Sequence, residues 1–393
     1  MVTLEIRQGR EKSILQRHPW VFSGSVFKER GEGPVCELVD RQGATLAWGL
    51  HSPASQIRAR ILEWRGYEPG RERIIGERVR EAAALRRLLC PADTDAFRLI
   101  NAEGDGLPGV TVDCYGETMV VATTTAGWEP VREEWLYPHL RKQWPARYIL
   151  EKNRGDARAL EELPQEDRWL GGGSGPAMPI RVRENGLQFF VDVREGQKTG
   201  FFLDQRANRA AVRALASGAE VLNTFAYTGA FSVYALKGGA RSVENVDTST
   251  AALELSRANH EANGVAGEGA IHIREDAFAY LRHLQKRGRR FDLVILDPPA
   301  LGKQKAHVDA AARGYKDLNL QALRLLRPGG ILVTCSCSAH ISATLFQQIL
   351  FAAALDARVS VRLLRKAGAD WDHPINLYCP ESEYLKTFFC QTG

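Results

Sequence analysis

The sequence predicts an α/β protein whose carboxyl-terminal half is a layered sheet-and-helix domain, preceded by a small β-rich unit and a mixed α+β unit. Three observations carry this. From residue 180 onward, apolar strand-like runs alternate with longer helical runs, which builds an open, mainly parallel sheet with helices on both faces. Residues 1–72 contain short β-type runs punctuated by Gly and Asp, as in a small sheet or barrel. A length of 393 residues corresponds to two or three folded units.

In the first unit the strand-like runs are Trp20-Val21-Phe22, Val35 to Val39, Thr45 to Trp48 and Ile57 to Leu62, the last placing arginines on one face. A helical pattern from Ile74 to Leu89 opens a middle region spanning 73–179, and carries Arg78, Arg86 and Arg87. Residues 98–125 read as a turn-rich hairpin around Gly104-Asp105-Gly106 and Tyr115-Gly116. An amphipathic helical segment with Trp128, Trp135 and Trp144 follows, then a strand from Arg147 to Leu150, and GGGSGPAMP at 171–179 reads as a surface loop. The last unit, 180–393, begins with a hairpin over Ile180 to Val193. Its strands are expected at Glu220–Asn223, Ser242–Val246, Phe291–Leu296 and Gly330–Cys335, with helices over Ser232–Leu236, Ala251–Ala262 and Leu318–Leu326. Such a sheet binds ligands beyond the carboxyl ends of its strands, where strand order reverses.

Composition narrows the class. Hydrophobic residues make up 44% and charged residues 25%, which excludes a disordered or fibrous chain. No run approaches the ~20 apolar residues of a spanning helix, and the first residues lack the apolar stretch of a secretory signal, so a cytoplasmic protein is expected. Seven cysteines, two of them in TCSCS, fit neither a disulfide framework nor a Cys-x-x-Cys redox or zinc site, and no metal is expected. Residues 1–90 hold sixteen Lys or Arg against eleven Asp or Glu, so the whole net charge of +5 resides there. That suits a polyanionic partner and equally an ordinary solvated surface.

The segment VLNTFAYTGAFSVYALKGGA places Thr228 and Gly229 in the turn after the first strand of the last unit. It is not the G-x-G-x-x-G dinucleotide fingerprint. Gly229 lets backbone approach a ligand closely. Asp247 ends the second strand and can accept hydrogen bonds from both hydroxyls of an adenosine ribose. Asp276, which ends the third short strand, can meet the adenine or its amino group. Each residue alone could be a turn or a helix cap; together they point to a nucleoside cofactor.

The fourth strand delivers Asp297-Pro298-Pro299 to the same rim, followed by Lys303, an arrangement suited to a base edge or simply to ending a strand. The fifth carries Cys335 and Cys337 on one face if it is regular, with Cys337 nearer the crevice. Buried thiols are commonly small hydrophobes. A thiolate has a definite use when the methyl acceptor is C5 of cytosine. Addition at C6 makes C5 enamine-like, and loss of the C5 proton later expels the thiol.

The strings TFAYTG, VDTS, DPPALGK and SCS strongly resemble those of class I S-adenosylmethionine-dependent methyltransferases that modify cytosine C5 in large-subunit ribosomal RNA. REKSILQRHPWVFSGSV resembles that family's amino-terminal PUA domain, GDGLPGVTVDCYG its central domain, and GQKTGFFLDQRANR the lead-in to its Rossmann-like catalytic domain, so the resemblance covers essentially the whole chain. It implies a division into a PUA-like domain (1–72), a central α+β domain (73–179) and a methyltransferase domain (180–393). It implies S-adenosylmethionine as cofactor, held by Phe225, Tyr227, Thr228, Gly229, Asp247, Ser249, Asp276, Asp297 and Pro298. Cys337 matches the family's nucleophile, and Asp297 lies at the boundary between cofactor and base as the second catalytic candidate. Lys12, Arg17, His18, Lys198, Arg206 and Lys303 are the expected RNA contacts. Ala339-His340 departs from the glycine and apolar residue more usual after SCS.

The expected reaction is methyl transfer to a cytidine of 23S ribosomal RNA, free or in an assembling particle, by a homodimer with no membrane association. Two alternatives stand beside it. A guanine or adenine N-methyltransferase would use Asp297-Pro298-Pro299 without a thiol. A noncatalytic RNA-binding ribosome-assembly factor would retain the fold without turnover.

Overall fold

The structure is a computed structural model that describes residues 1–267, 269–302 and 305–393. Packing divides the chain into two compact units. The first comprises Met1–Asn185, Asp192–Phe201 and Trp371–Ser382; the second comprises Gly186–Val191, Phe202–Asp370 and Glu383–Gly393.

The first unit holds two sheets. The six-stranded one runs Trp20–Phe22, Ile57–Glu63, Thr45–His51, Val35–Val39, Val2–Ile6 and Val26–Arg30. Alternation in Ile57–Glu63 buries Ala59 and Ile61 with Leu4, Leu38 and Ala47. Arg60, on the opposite face, pairs at 3.0 Å with the buried Glu161. The five-stranded sheet runs Glu166–Trp169, Tyr148–Asn153, Thr118–Thr123, Val110–Tyr115 and Ala96–Asn101. The expected hairpin over 98–125 is thus three antiparallel strands with two turns, because both glycine-rich strings reverse the chain.

Helix Arg73–Leu89 buries Ile75, Val79, Ala82 and Ala83 against this second sheet. Its basic residues are not all a solvated face. Arg86 is buried and makes a bidentate pair with Asp105 at 2.6 and 2.7 Å, while also donating to the carbonyls of Arg98 and Asp372. Arg78 donates to the carbonyls of Gly106 and Leu62. Part of the amino-terminal positive charge therefore holds the unit together and does not face solvent.

The second unit is built on a seven-stranded sheet, whose strands are labelled in chain order: β1 (Glu220–Thr224), β2 (Ser242–Asp247), β3 (Ala270–Arg274), β4 (Phe291–Leu296), β5 (Leu326–Ser336), β6 (Val361–Ala367) and β7 (Lys386–Thr392). Their spatial order is β3-β2-β1-β4-β5-β7-β6. The pairs from β3 to β5 are parallel, and β7 runs antiparallel between β5 and β6. The helices are α1 (Arg206–Leu215), α2 (Ala230–Lys237), α3 (Thr250–Ala262), α4 (Ala277–Lys286), α5 (Val308–Leu325) and α6 (Ala343–Ala357). The central strands are apolar on both faces: Val221, Leu222, Leu293, Val294, Ile295, Leu332 and Val333 are all buried. Strand order reverses between β1 and β4, so the carboxyl ends of β1, β2, β4 and β5 border one crevice within this unit.

Two expectations about strand ends change. Asp276 lies beyond β3 and caps α4, accepting from Ala279 N–H at 2.9 Å. β5 ends at Ser336, so Cys337 follows the strand and does not share a regular strand face with Cys335.

Candidate active site

The turn after β1 is conformationally unusual. Phe225, Tyr227 and Gly229 have φ of 56°, 49° and 74°, three left-handed residues in five. A web of polar contacts holds it. Asp247, at the end of β2, accepts from Tyr227 N–H at 2.8 Å and from Ser249 N–H at 2.9 Å, one bond on each carboxylate oxygen. Asn259 of α3 donates to the Thr228 carbonyl at 2.8 Å and accepts Phe190 N–H at 2.7 Å. Ser249 caps α3 through Ala252 N–H.

Gly229 has a structural reason beside the expected one. A Cβ at this position would lie 2.1 Å from Ser256 Oγ and 3.0 Å from His260 Cε1. The glycine is required for its positive φ and for close packing of the turn on α3, independently of any ligand.

The residues suit an adenosyl cofactor. Each Asp247 oxygen keeps a lone pair beyond its one backbone bond, so the carboxylate can still accept from two ribose hydroxyls. Phe225, half-buried, meets Phe278 edge-on at 6.4 Å and supplies an apolar wall. Asp276 is exposed. Thr228 Oγ1 is buried without a hydrogen-bond partner, an arrangement that costs about 1–3 kcal/mol unless a ligand satisfies it.

Next along the crevice are Asp297 and the buried Pro298, just past β4, and Cys337, just past β5. Cys337 Sγ lies 3.9 Å from the Pro298 carbonyl oxygen and is half-buried. Cys335 differs: it is fully buried, contacts Thr387 Oγ1 at 3.4 Å, and its thiol is pushed well above the ordinary range by burial and then by the Asp297 charge. Lys386, which the sequence reading did not single out as a site residue, stands opposite Ser336 in the β5–β7 register. Its buried ammonium donates to the carbonyls of Ser338 and Tyr384, both at 2.8 Å. Tyr315 of α5 shares a 2.9 Å hydrogen bond with Ser338 Oγ. The string Tyr384-Leu385-Lys386 resembles the family's pattern near the carboxyl end, but nothing in it marks the partner of Lys386.

The RNA candidates separate. Lys12 and Arg17 are exposed, Arg17 lying 5.9 Å from the Trp64 ring. Lys198 is exposed with φ of 51°. His18 is half-buried, bonded to Glu381 at 3.2 Å and accepting Trp20 N–H on Nδ1. Arg206 is buried in an ion pair with Asp370, so it is a structural residue of α1 and not a phosphate contact. Lys303 lies outside the described residues.

Among the described residues, His18, Cys379 and Glu381 are close enough together to hold a metal. Acceptance by Nδ1 leaves the His18 proton on Nε2, facing Glu381, and burial pushes the Cys379 thiol up to about 12. That protonation suits a hydrogen-bonded cluster.

Beneath the cofactor turn, His260 and His272 meet edge-on at 5.0 Å, and both contact Ser256. Burial lowers the pKa of His272 to about 4, with the positive charges of His260 and Arg257 adding, and burial also lowers that of His260. An unfolded histidine titrates near ~6.5, so on acidification the unfolded chain takes up protons first. This stabilisation is complete above about pH 6.5 and is lost as pH falls toward about 4. Thermal melts at about pH 5 and 7.5 should show His272→Asn with a flatter acid dependence than wild type, by on the order of 1 kcal/mol after discounting for solvent screening of this half-exposed ring. Parallel curves would refute the assignment.

The chain is similar to known proteins along its whole length. A family model described as an S-adenosylmethionine-dependent methyltransferase matches residues 164–362, and one described as a PUA-like domain matches residues 4–64. The chain is 42% identical over 392 residues to the ribosomal RNA large subunit methyltransferase I of Salmonella arizonae, covering 99% of this chain and 97% of that protein. It is 42% identical over 388 residues to the protein of the same name from Photobacterium profundum, covering 98% and 97%. In fold it is similar to a SAM-dependent methyltransferase structure from Streptococcus mutans, with a TM-score of 0.85, 24% identity and full coverage of both chains. A methyltransferase structure complexed with SAH gives a TM-score of 0.86 at 24% identity, again over the full length of both.

Proposed function

The chain belongs to the ribosomal RNA large subunit methyltransferase I family of S-adenosylmethionine-dependent methyltransferases, and we propose that it methylates C5 of a cytidine in 23S ribosomal RNA through a covalent Cys337 adduct. The observation that carries this reading is the Cys337 thiol at the carboxyl end of β5, 3.9 Å from the Pro298 carbonyl at the end of β4. Methylating a nitrogen with its own lone pair needs no thiol; carbon 5 does.

In this reading the Cys337 thiolate adds to C6 of a base turned out of its stack. The Sγ–C6 bond forms, and the C5–C6 π electrons make C5 nucleophilic. S-adenosylmethionine, when bound, would supply the electrophilic methyl group, which C5 would take as the methyl–sulfonium bond breaks and S-adenosylhomocysteine leaves. A base then removes the C5 proton, the Sγ–C6 bond breaks, and the thiolate is restored. Asp297, on the rim beside Cys337, is the residue we assign to face the reacting base. Phe225, Tyr227, Thr228, Gly229, Asp247, Ser249, Asp276 and Pro298 form the proposed cofactor pocket. Lys12, Arg17 and Lys198, all exposed, are the proposed phosphate contacts, which position RNA without reading its sequence.

The three-part division at residues 72 and 179 belongs to the same reading, as do cytoplasmic location and a homodimer. No helix among the described residues is long and apolar enough to cross a membrane. Exposed Phe351 and Leu355 on α6, and Leu363 and Leu364 on the edge strand β6, support association with a second copy.

The test uses methyl-labelled cofactor with unmodified large-subunit RNA, followed by nucleoside digestion. Label in 5-methylcytidine is the expected result. Label in an N-methylated purine would overturn it, and cofactor binding without transfer to any large-subunit RNA or particle would also count against it.

A further inference from the structure

Lys386 is a cation in an unusual setting. Its side chain is buried, 5% exposed, and its two bonded acceptors are the neutral carbonyls of Ser338 and Tyr384. An ammonium has three N–H donors, so the described residues leave one over. Burying such a charge against neutral dipoles alone is costly, and a nearby anion offsets that cost.

The neighbouring groups identify the anion. Asp297 comes from the end of β4, Tyr315 from α5, Cys335 and Cys337 from β5 and the residue after it, and Glu383 precedes β7. Tyr315 is kept neutral by burial, and a negative charge on Cys337 opposes its ionisation further. Burial keeps Cys335 a neutral thiol. For Lys386 the largest influence is burial, which disfavours its charge; negative charge on Cys337 comes next in the opposite sense, ahead of Glu383, which is exposed. Electrostatic coupling between two groups is reciprocal, so an ammonium that Cys337 stabilises must stabilise the Cys337 thiolate by the same amount. The backbone brings the two segments together: Lys386 faces Ser336 across the β5–β7 ladder, and its Nζ donates to the carbonyl of Ser338, the residue after Cys337.

We propose, resting on the C5 reading above, that Lys386 is a positioning residue whose buried ammonium holds Cys337 as the thiolate ready for C6. Asp297 stands on the same rim, and its carboxylate works against a second anion there. Lys386 counters it from beneath, on the one strand that runs antiparallel to the others.

The experiment measures alkylation of Cys337 by iodoacetamide against pH, by peptide mass spectrometry on the full-length protein without RNA. Buried thiols do not compete: burial pushes Cys379 and Cys390 up to about 12, and Cys36, Cys114 and Cys335 upward as well. In wild type the Cys337 profile should have its midpoint below the ~8.5 of a free thiol. Lys386→Gln keeps two N–H donors for the carbonyls but removes the charge, and should move the midpoint up by about one unit or more, slowing alkylation near neutral pH by about tenfold. Lys386→Arg should restore most of the wild-type profile. A purely structural lysine would change melting temperature and leave the midpoint where it was.

An ordinary or raised midpoint in wild type overturns the proposal without any variant, as does a wild-type midpoint in a folded Lys386→Gln protein. If the midpoint depends on Lys386 but RNA containing 5-fluorocytidine forms no adduct with the wild-type enzyme, the assignment of Lys386 as partner of Cys337 stands and the C5 reading falls.

Discussion

Cys337→Ala is expected to lower methyl transfer to RNA by at least about a thousandfold while leaving S-adenosylmethionine affinity within about twofold. The magnitude follows from the acceptor. Without a bond to C6, carbon 5 of cytosine stays part of a conjugated ring with little nucleophilic character. Most of the proposed cofactor contacts lie on the β1 turn, around the end of β2 and before α4, with only Asp297 and Pro298 near Cys337, so truncating its half-buried side chain should leave the cofactor site largely intact. Wild type should also form a denaturant-resistant adduct with RNA containing 5-fluorocytidine, because fluorine cannot leave as a proton and the thiol cannot be expelled. Cys335→Ala is the matched control. That thiol is fully buried beside Thr387, and its loss should cost about 1 kcal/mol of stability with little effect on rate. Undiminished transfer by Cys337→Ala would exclude the covalent route.

Asp247→Ala should weaken S-adenosylmethionine binding by about a hundredfold or more in calorimetric titration. Its carboxylate organises the site from two sides. It takes the N–H of Tyr227, a residue at φ of 49°, and the N–H of Ser249 at the start of α3, and it is the expected partner of the ribose hydroxyls. Hydrogen bonds to a charged acceptor contribute about 1.5–3 kcal/mol each, and about 2.7 kcal/mol is already a hundredfold in affinity. The turn would lose the acceptor that restrains its left-handed backbone as well as the contact to ligand. Asp247→Asn should fall nearly as far, since its amide NH₂ would oppose one of the two backbone donors. Wild-type affinity in either variant would remove Asp247 from the cofactor site.

Asp247 and Cys337 stood out because each ends or follows an apolar run in an α/β pattern, and chemistry gathers at such ends. Gly229 was found for an incomplete reason: its turn was legible, while its contact with Ser256 and His260 required knowing where α3 packs. Asp276 carried two readings, helix cap and adenine partner, and it does cap α4. Arg206 was misread, because a basic side chain in an unusual string looks the same whether it reaches RNA or pairs internally. Its partner Asp370 lies far along the chain and in no motif. Arg78 and Arg86 were likewise counted toward a basic surface, although backbone carbonyls and Asp105 hold them inside.

The amino-acid order by itself determined the strand–helix alternation of the second unit, the turn after β1, the acidic residues at the strand ends and the presence of a thiol after β5. These are local properties, encoded in periodicities of two and 3.6 residues and in turn chemistry over a few positions. Tertiary structure alone decided that β7 enters antiparallel between β5 and β6, that Lys386 thereby faces Ser336 and donates to the Ser338 carbonyl, and that Arg206 pairs with Asp370. The physical reason is that partnership and burial depend on which distant segments pair, and the charge state of a thiol depends on the residues so delivered to it.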